Sequence, residues 1–257
     1  MLRTLVGLSL ALAGAAPGAA AQSVAAAQAP LTITYAEQNV QLVRDTSLYS
    51  ASRGVLLQPN DMLQTAGSAI QLDVGGTIVA VGPASRIYIK SAAELILLDG
   101  WMKVAGSGQR QLSVRSANVQ LAELGATVTL HAAGGSTELF GESADLIVNE
   151  LPAGKKPRRV PLPREQFAVR DGGKPLKIVA RPPAAFLAAM PRVFKDTLVP
   201  LKVSGAPVVP KRERAATLAE LAHWLGGHAL LGKQLQQRFS PPRPVRPAPS
   251  RLPTEQY

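Results

Sequence analysis

The stretch Ile70-Gln71-Leu72-Asp73-Val74-Gly75-Gly76-Thr77-Ile78-Val79-Ala80-Val81 decides the fold. Ile70, Leu72 and Val74 alternate with Gln71 and Asp73, which is the period of a strand with one buried face. Gly75-Gly76 is a two-residue hairpin signal, because both turn positions of the favoured turn need positive φ. An apolar run restarts at Thr77, and Gly82-Pro83 breaks it.

Working outward, the same signals recur. Ile87 and Ile89 alternate with Arg86, Tyr88 and Lys90. Residues 95–98 are apolar, Asp99-Gly100 reads as a turn, and Trp101 to Val104 as the next strand. A loop at Gly106-Ser107-Gly108 precedes the pairs Leu112/Val114, Val119/Leu121 and Val128/Leu130. Gly134-Gly135 marks another turn, followed by Leu139 and the run 146–148. No long helical pattern intervenes, so the expected fold is mainly β, an antiparallel β-sandwich or β-roll over 22–150. About 130 residues suffice to close such a core.

The turns and strands between Gly54 and Glu150 resemble the FecR-like periplasmic domain. Leu57, Asn60-Asp61 and Thr65 hold its first position, with Asn60 where the family has glycine. Gly75-Gly76-Thr77 holds the second and Pro83-Ala84-Ser85 the third. Gly100-Trp101 with Val104, and Gly125-Ala126-Thr127-Val128, hold the last two. The resemblance covers under half of the chain. It implies an all-β envelope domain for binding or signalling, with no catalytic residues to carry over. Regulators of that family carry a cytoplasmic sigma-factor-binding segment and a membrane span before this domain. Here only a secretory signal is expected before it, so signalling across a membrane by this chain alone is not expected.

That signal is read at 1–21. Arg3 is followed by a short apolar run and by Ala19-Ala20-Ala21, small residues suited to cleavage near Ala21. The run is shorter than the ~20 apolar residues a span requires. A periplasmic or secreted mature chain is expected.

Composition divides that chain. Residues 22–150 carry 7 Lys/Arg against 11 Asp/Glu, whereas 151–257 carry 20 against 6. Of the 21 prolines, 17 lie after residue 150, while 15 of the 22 glycines lie before it. These shifts place a basic proline-rich linker at 151–163, with Lys155, Lys156, Arg158 and Arg159. A small basic α/β appendage is expected at 164–239. Residues 166–179 read as a hairpin around Asp171-Gly172-Gly173, and 186–190 as one helical turn. Lys211, Arg212 and Arg214 precede a helix start, with Thr217 and Glu220 spaced as a capping box. Leu218, Leu221 and Leu225 form one apolar stripe, Leu231, Leu235 and Phe239 a second, with Gly226-Gly227 between them. The tail 240–257, with six prolines, reads as disordered.

Chemistry is sparse. The chain has no cysteine, which excludes disulfides, thiol nucleophiles and cysteine-held metals. His223 and His228 are five apart, off a common helical face, with no third ligand evident. His131 reads as a loop histidine. No metal and no cofactor is expected. Trp101 is a possible contact surface for a sugar ring, against the commoner role of a packed tryptophan.

The basic residues Lys155, Lys156, Arg158, Arg159, Lys211, Arg212 and Arg214 stand out as candidate polyanion binders, since fixed positive charge attracts polyanions in a salt-dependent way. Outside the cytoplasm the polyanions are envelope polymers such as wall glycan or an anionic lipid surface. Nucleic acid is not expected, because the linker has no aromatic residues interleaved for base stacking. The expected function is therefore a non-enzymatic binding or scaffold protein of the envelope. The alternatives are a soluble accessory of cell-surface signalling that binds an envelope protein through the β-domain, and a glycan-acting enzyme. The last rests only on Trp101 and scattered carboxylates and would need two carboxyls facing across a cleft.

Overall fold

The computed structural model describes residues 30–106, 112–122, 124–225 and 228–240. The expected signal peptide, the Gly226-Gly227 break, Ser107-Gly108 and the tail from 241 lie outside the described residues. In chain order the strands are β1 Leu31–Ala36, β2 Val40–Arg44, β3 Ser47–Ala51, β4 Leu56–Leu57, β5 Met62–Gln64, β6 Ile70–Val74, β7 Thr77–Val81, β8 Arg86–Ser91 and β9 Glu94–Ala105. They continue as β10 Ser113–Arg115, β11 Val119–Leu121, β12 Thr127–Ala133, β13 Ser136–Gly141, β14 Leu146–Glu150, β15 Arg158–Leu162, β16 Phe167–Asp171, β17 Lys177–Val179 and β18 Lys211–Ala215. The helices are α1 Ala184–Ala189, α2 Leu218–Ala222 and α3 Ala229–Phe239.

Two curled sheets face each other. The first runs β4-β1-β6-β7-β9-β12-β13-β16-β17, antiparallel throughout. The second runs β18-β3-β2-β5-β8-β9-β10-β11-β14-β15, and only its β9–β10 pair is parallel. The fold is thus mostly antiparallel β with a few C-terminal helices, as expected from the alternation. Alternate residues such as Ile70, Leu72, Val79, Ile87, Leu95 and Val128 point inward and form one core between the sheets.

β9 belongs to both sheets, pairing with β8 through residues 94–99 and with β12 through 100–105. Asp99-Gly100 is therefore a bend within one strand, not the turn expected there. Leu95 and Leu97 face the core before it, and Met102 and Val104 after it, so the inward parity slips by one residue at the bend. Gly100 makes this possible with φ +88°, a conformation open to glycine.

The C-terminal half covers both outer faces. On the first sheet, Phe186 and Met190 from the α1 segment and Phe194 pack on Ala80, Trp101 and Phe167. On the second, Leu221, Trp224, Leu225, Leu231 and Leu235 pack on Val43, Met62, Tyr88, Ile96 and Leu98. Both apolar stripes read from the sequence lie in this contact. The linker reading of 151–163 is corrected in part. Arg158–Leu162 is the strand β15, paired along its length with β14, and Leu162 is fully buried in the core. The basic run before α2 is also a strand, β18, paired with β3.

Candidate functional site

The residues that carried the FecR-like pattern gather in structural knots. Asp61, fully buried, accepts from Arg44 Nε at 2.9 Å and Nη2 at 2.7 Å and from the Gln58 amide at 2.8 Å. Asn60 beside it has φ +74°, which explains glycine as the usual occupant and asparagine as a tolerated one. Thr65 Oγ1 donates to the Gly82 carbonyl at 2.6 Å and accepts from the Ser85 amide at 2.8 Å. Ser85 Oγ in turn accepts from the Trp101 amide at 2.8 Å. These contacts fix the point where β9 changes sheets.

Trp101 is not a contact surface. It is only 8% exposed, tilted against Phe186 at 5.1 Å and stacked on the His131 ring at 4.2 Å. His131 Nδ1 lies 2.7 Å from Glu138 Oε2, so this imidazole is held on a sheet face by a carboxylate and an indole.

The seven basic candidates divide into two groups at opposite edges of the second sheet. They lie roughly 40 Å apart along it at ~4.8 Å per strand. At one edge, Arg158 is engaged: its Nη2 lies 2.6 Å from Glu150 Oε2, although the side chain is 58% exposed. Glu150 is itself buried and also meets Arg170 Nη1 at 2.5 Å and the Leu176 amide at 3.2 Å. Burial pushes this carboxyl up, but the bond from Arg158, the charge of Arg170 and the Leu176 amide outweigh it and hold the group below its ordinary range. Arg158 therefore closes a structural triad rather than presenting a free charge. Lys155, Lys156 and Arg159 are exposed and have no carboxylate partner among the described residues. At the other edge, Arg214 is paired with Glu220 of α2, Arg212 donates to Ser47 Oγ at 3.2 Å, and Lys211 is exposed. Thr217 caps α2 as expected, accepting from the Glu220 amide at 3.2 Å.

The first edge also holds a cleft of about 600 Å³ between the outer sheet face, α3 and the loop 151–157. Lys90, Arg115 and Lys155 line it with His228, Gln234 and the apolar Ile96, Leu231 and Pro157, and no Asp or Glu is among its lining residues. Lys90 has Glu94 as partner at 2.8 Å; Arg115 has none among the described residues. Burial and the neighbouring Arg115 push the His228 imidazole from 6.5 down to about 4, so it is neutral at pH 7. The sequence singles out Lys155 for polyanions and His228 only as a possible metal ligand, while Lys90 and Arg115 carry no signal of their own. They are scattered in sequence, and only the parallel β9–β10 pairing and the return of α3 bring them together.

No protein-family model matches the chain. No curated protein matches it. Among solved structures it is similar in part to two crystal structures, at 2.50 Å and 1.65 Å, of a candidate anti-sigma factor from Parabacteroides distasonis ATCC 8503. The identities are 12% and 13% and the TM-score is 0.37 in both, covering 46% of this chain and 57% of the other. The chain spans little more than half the length of those structures, and the likeness says nothing of activity or partner.

Proposed function

We propose that this protein is a non-enzymatic binding module of the bacterial envelope that holds a polyanionic envelope polymer on its basic flank. The observation that carries the reading is the one-sided charge at the β15 edge. Lys155, Lys156 and Arg159 stand exposed and unpaired among the described residues, and Lys155 lines a cleft with further cations and no acid in its lining. Arg159 is held in β15 and the two lysines sit in the short loop that leads into that strand, which keeps the positive charges close together. The secretory signal expected at 1–21 supports the reading, since export would bring that flank to wall glycan and anionic lipid headgroups.

The test is sedimentation of the full mature chain with purified peptidoglycan at low and high salt. The triple variant Lys155→Gln, Lys156→Gln, Arg159→Gln is compared with the double variant Lys211→Gln, Arg212→Gln. We expect salt to release the protein and the triple variant to bind about tenfold more weakly, the sum of three modest charge contacts. Binding unchanged by salt and by the triple variant overturns the assignment.

A further inference from the structure

We infer that the cleft between α3, the loop 151–157 and the β9–β10 face is a binding site for a small amphipathic anion, a phosphate or carboxylate head on an apolar stem. The inference rests on the anion-binding reading above and narrows it to one pocket and one chemistry. Three observations carry it. First, Lys90, Arg115 and Lys155 converge from three separate elements, and only Lys90 has a carboxylate partner among the described residues. Converging cations repel one another and are relieved by a bound anion. Second, the cleft is also lined by apolar residues, Ile96, Leu231 and Pro157 among them. A fully hydrated ion would leave that surface in water, whereas an apolar stem covers it at about 25 cal/mol per Å². Third, His228 opens α3 without a side-chain capping bond, and its Nε2 is buried with no partner among the described residues.

The charged groups facing His228 across the cleft are Arg115 of β10, Lys90 of β8 and Lys155 of the loop. All are positive, which agrees with an imidazole kept neutral. An anion beside Arg115 offsets the charge part of the depression, so occupancy shifts the imidazole titration upward from about 4 and binding takes up protons in that range.

The experiment is calorimetric titration of the full mature chain with octyl phosphate, alongside inorganic phosphate and octyl glucoside. The His228 imidazole is followed by NMR through a pH titration with and without octyl phosphate. We expect octyl phosphate to bind at one site, with inorganic phosphate and octyl glucoside each about tenfold weaker or more, since each lacks one half of the recognition. The double variant Arg115→Gln, Lys155→Gln loses about tenfold toward octyl phosphate while retaining the circular dichroism of the parent. Amide shifts at Arg115, His228 and Gln234 place the ligand in the parent chain independently of any variant. Phosphatidylglycerol vesicles separate a membrane headgroup from a free amphiphile; binding to either with the same dependence on Arg115 and Lys155 supports the site. Octyl phosphate bound equally by the double variant, or not bound, overturns it. Loss of octyl phosphate binding with retained sedimentation on peptidoglycan removes the cleft and leaves the polymer reading standing. The reverse result removes the polymer reading alone.

Discussion

Glu150 ends β14 and holds Arg158 of β15, Arg170 of β16 and the Leu176 amide, so one carboxylate ties three successive C-terminal pieces to the sandwich. Arg170 is as buried as its partner. Glu150→Gln strands that guanidinium and is expected to cost about 3–5 kcal/mol in urea unfolding. The folded carboxyl lies below its ordinary value of 4.5, so its contribution is complete above pH 4.5 and fades as pH falls through the lower folded value. The stability gap between parent and variant should therefore be full at pH 7 and shrink in acid; a pH-independent gap contradicts the triad. Gly100→Ala places a methyl 2.7 Å from the Ser85 Cα at a φ of +88°. It is expected to cost about 2–3 kcal/mol in thermal unfolding, the scale of a strained backbone with a forced contact. At this scale the sequence was half legible. Asn60 was visible as a departure from glycine, and its positive φ supplies the reason. For Trp101 the commoner packed role holds, but what covers it was not legible, because the α1 segment lies 85 residues on in the chain.

At the scale of elements, Lys103 is the clearest device. It is 3% exposed on β9, and its Nζ donates to the carbonyls of Phe194 at 2.6 Å and Asp196 at 3.2 Å while lying 2.9 Å from Glu142 Oε2. It pins the 191–198 segment to the first sheet. Lys103→Ala leaves Glu142 and two carbonyls without their donor, and is expected to cost about 2–4 kcal/mol and to open trypsin cleavage at Arg192 and Lys195. Unchanged protease resistance contradicts the clamp. The strands that read well, β6, β7 and β8, are largely buried, β7 at all five residues, so they stand out as apolar alternation or an apolar run between turn signals. Two of the strands that did not read, β15 and β18, are edge strands. β18 is exposed at all five residues, and β15 at Arg158, Arg159 and Pro161, so hydrophobic period cannot announce them. Charge and proline in such a run signal a linker and a protected edge equally, and only the partner strand decides between them.

At the scale of the whole molecule, the charge division at residue 150 is real, but it is not a division of the fold. The acidic half supplies most of the two sheets; the basic half adds β15 to β18 and covers both outer faces. The surface proposed to bind and the structural cover are thus the same segment, which turns Phe186, Leu221 and Trp224 inward and leaves Lys155, Lys156 and Arg159 exposed. A chain ending at 150 lacks Leu162, Ala168 and Leu176 from the core and exposes both outer apolar faces. The two tryptophans report on this directly, since Trp101 lies under the cover of the first sheet and Trp224 within the cover of the second. The decisive measurement is urea unfolding of the full chain, followed by fluorescence in Trp101→Phe and Trp224→Phe, each against circular dichroism of the same variant. One folded unit gives a fluorescence transition that coincides with the loss of β signal in both variants. A Trp224 transition that precedes the loss of β structure would make the basic half a separable appendage and contradict the account.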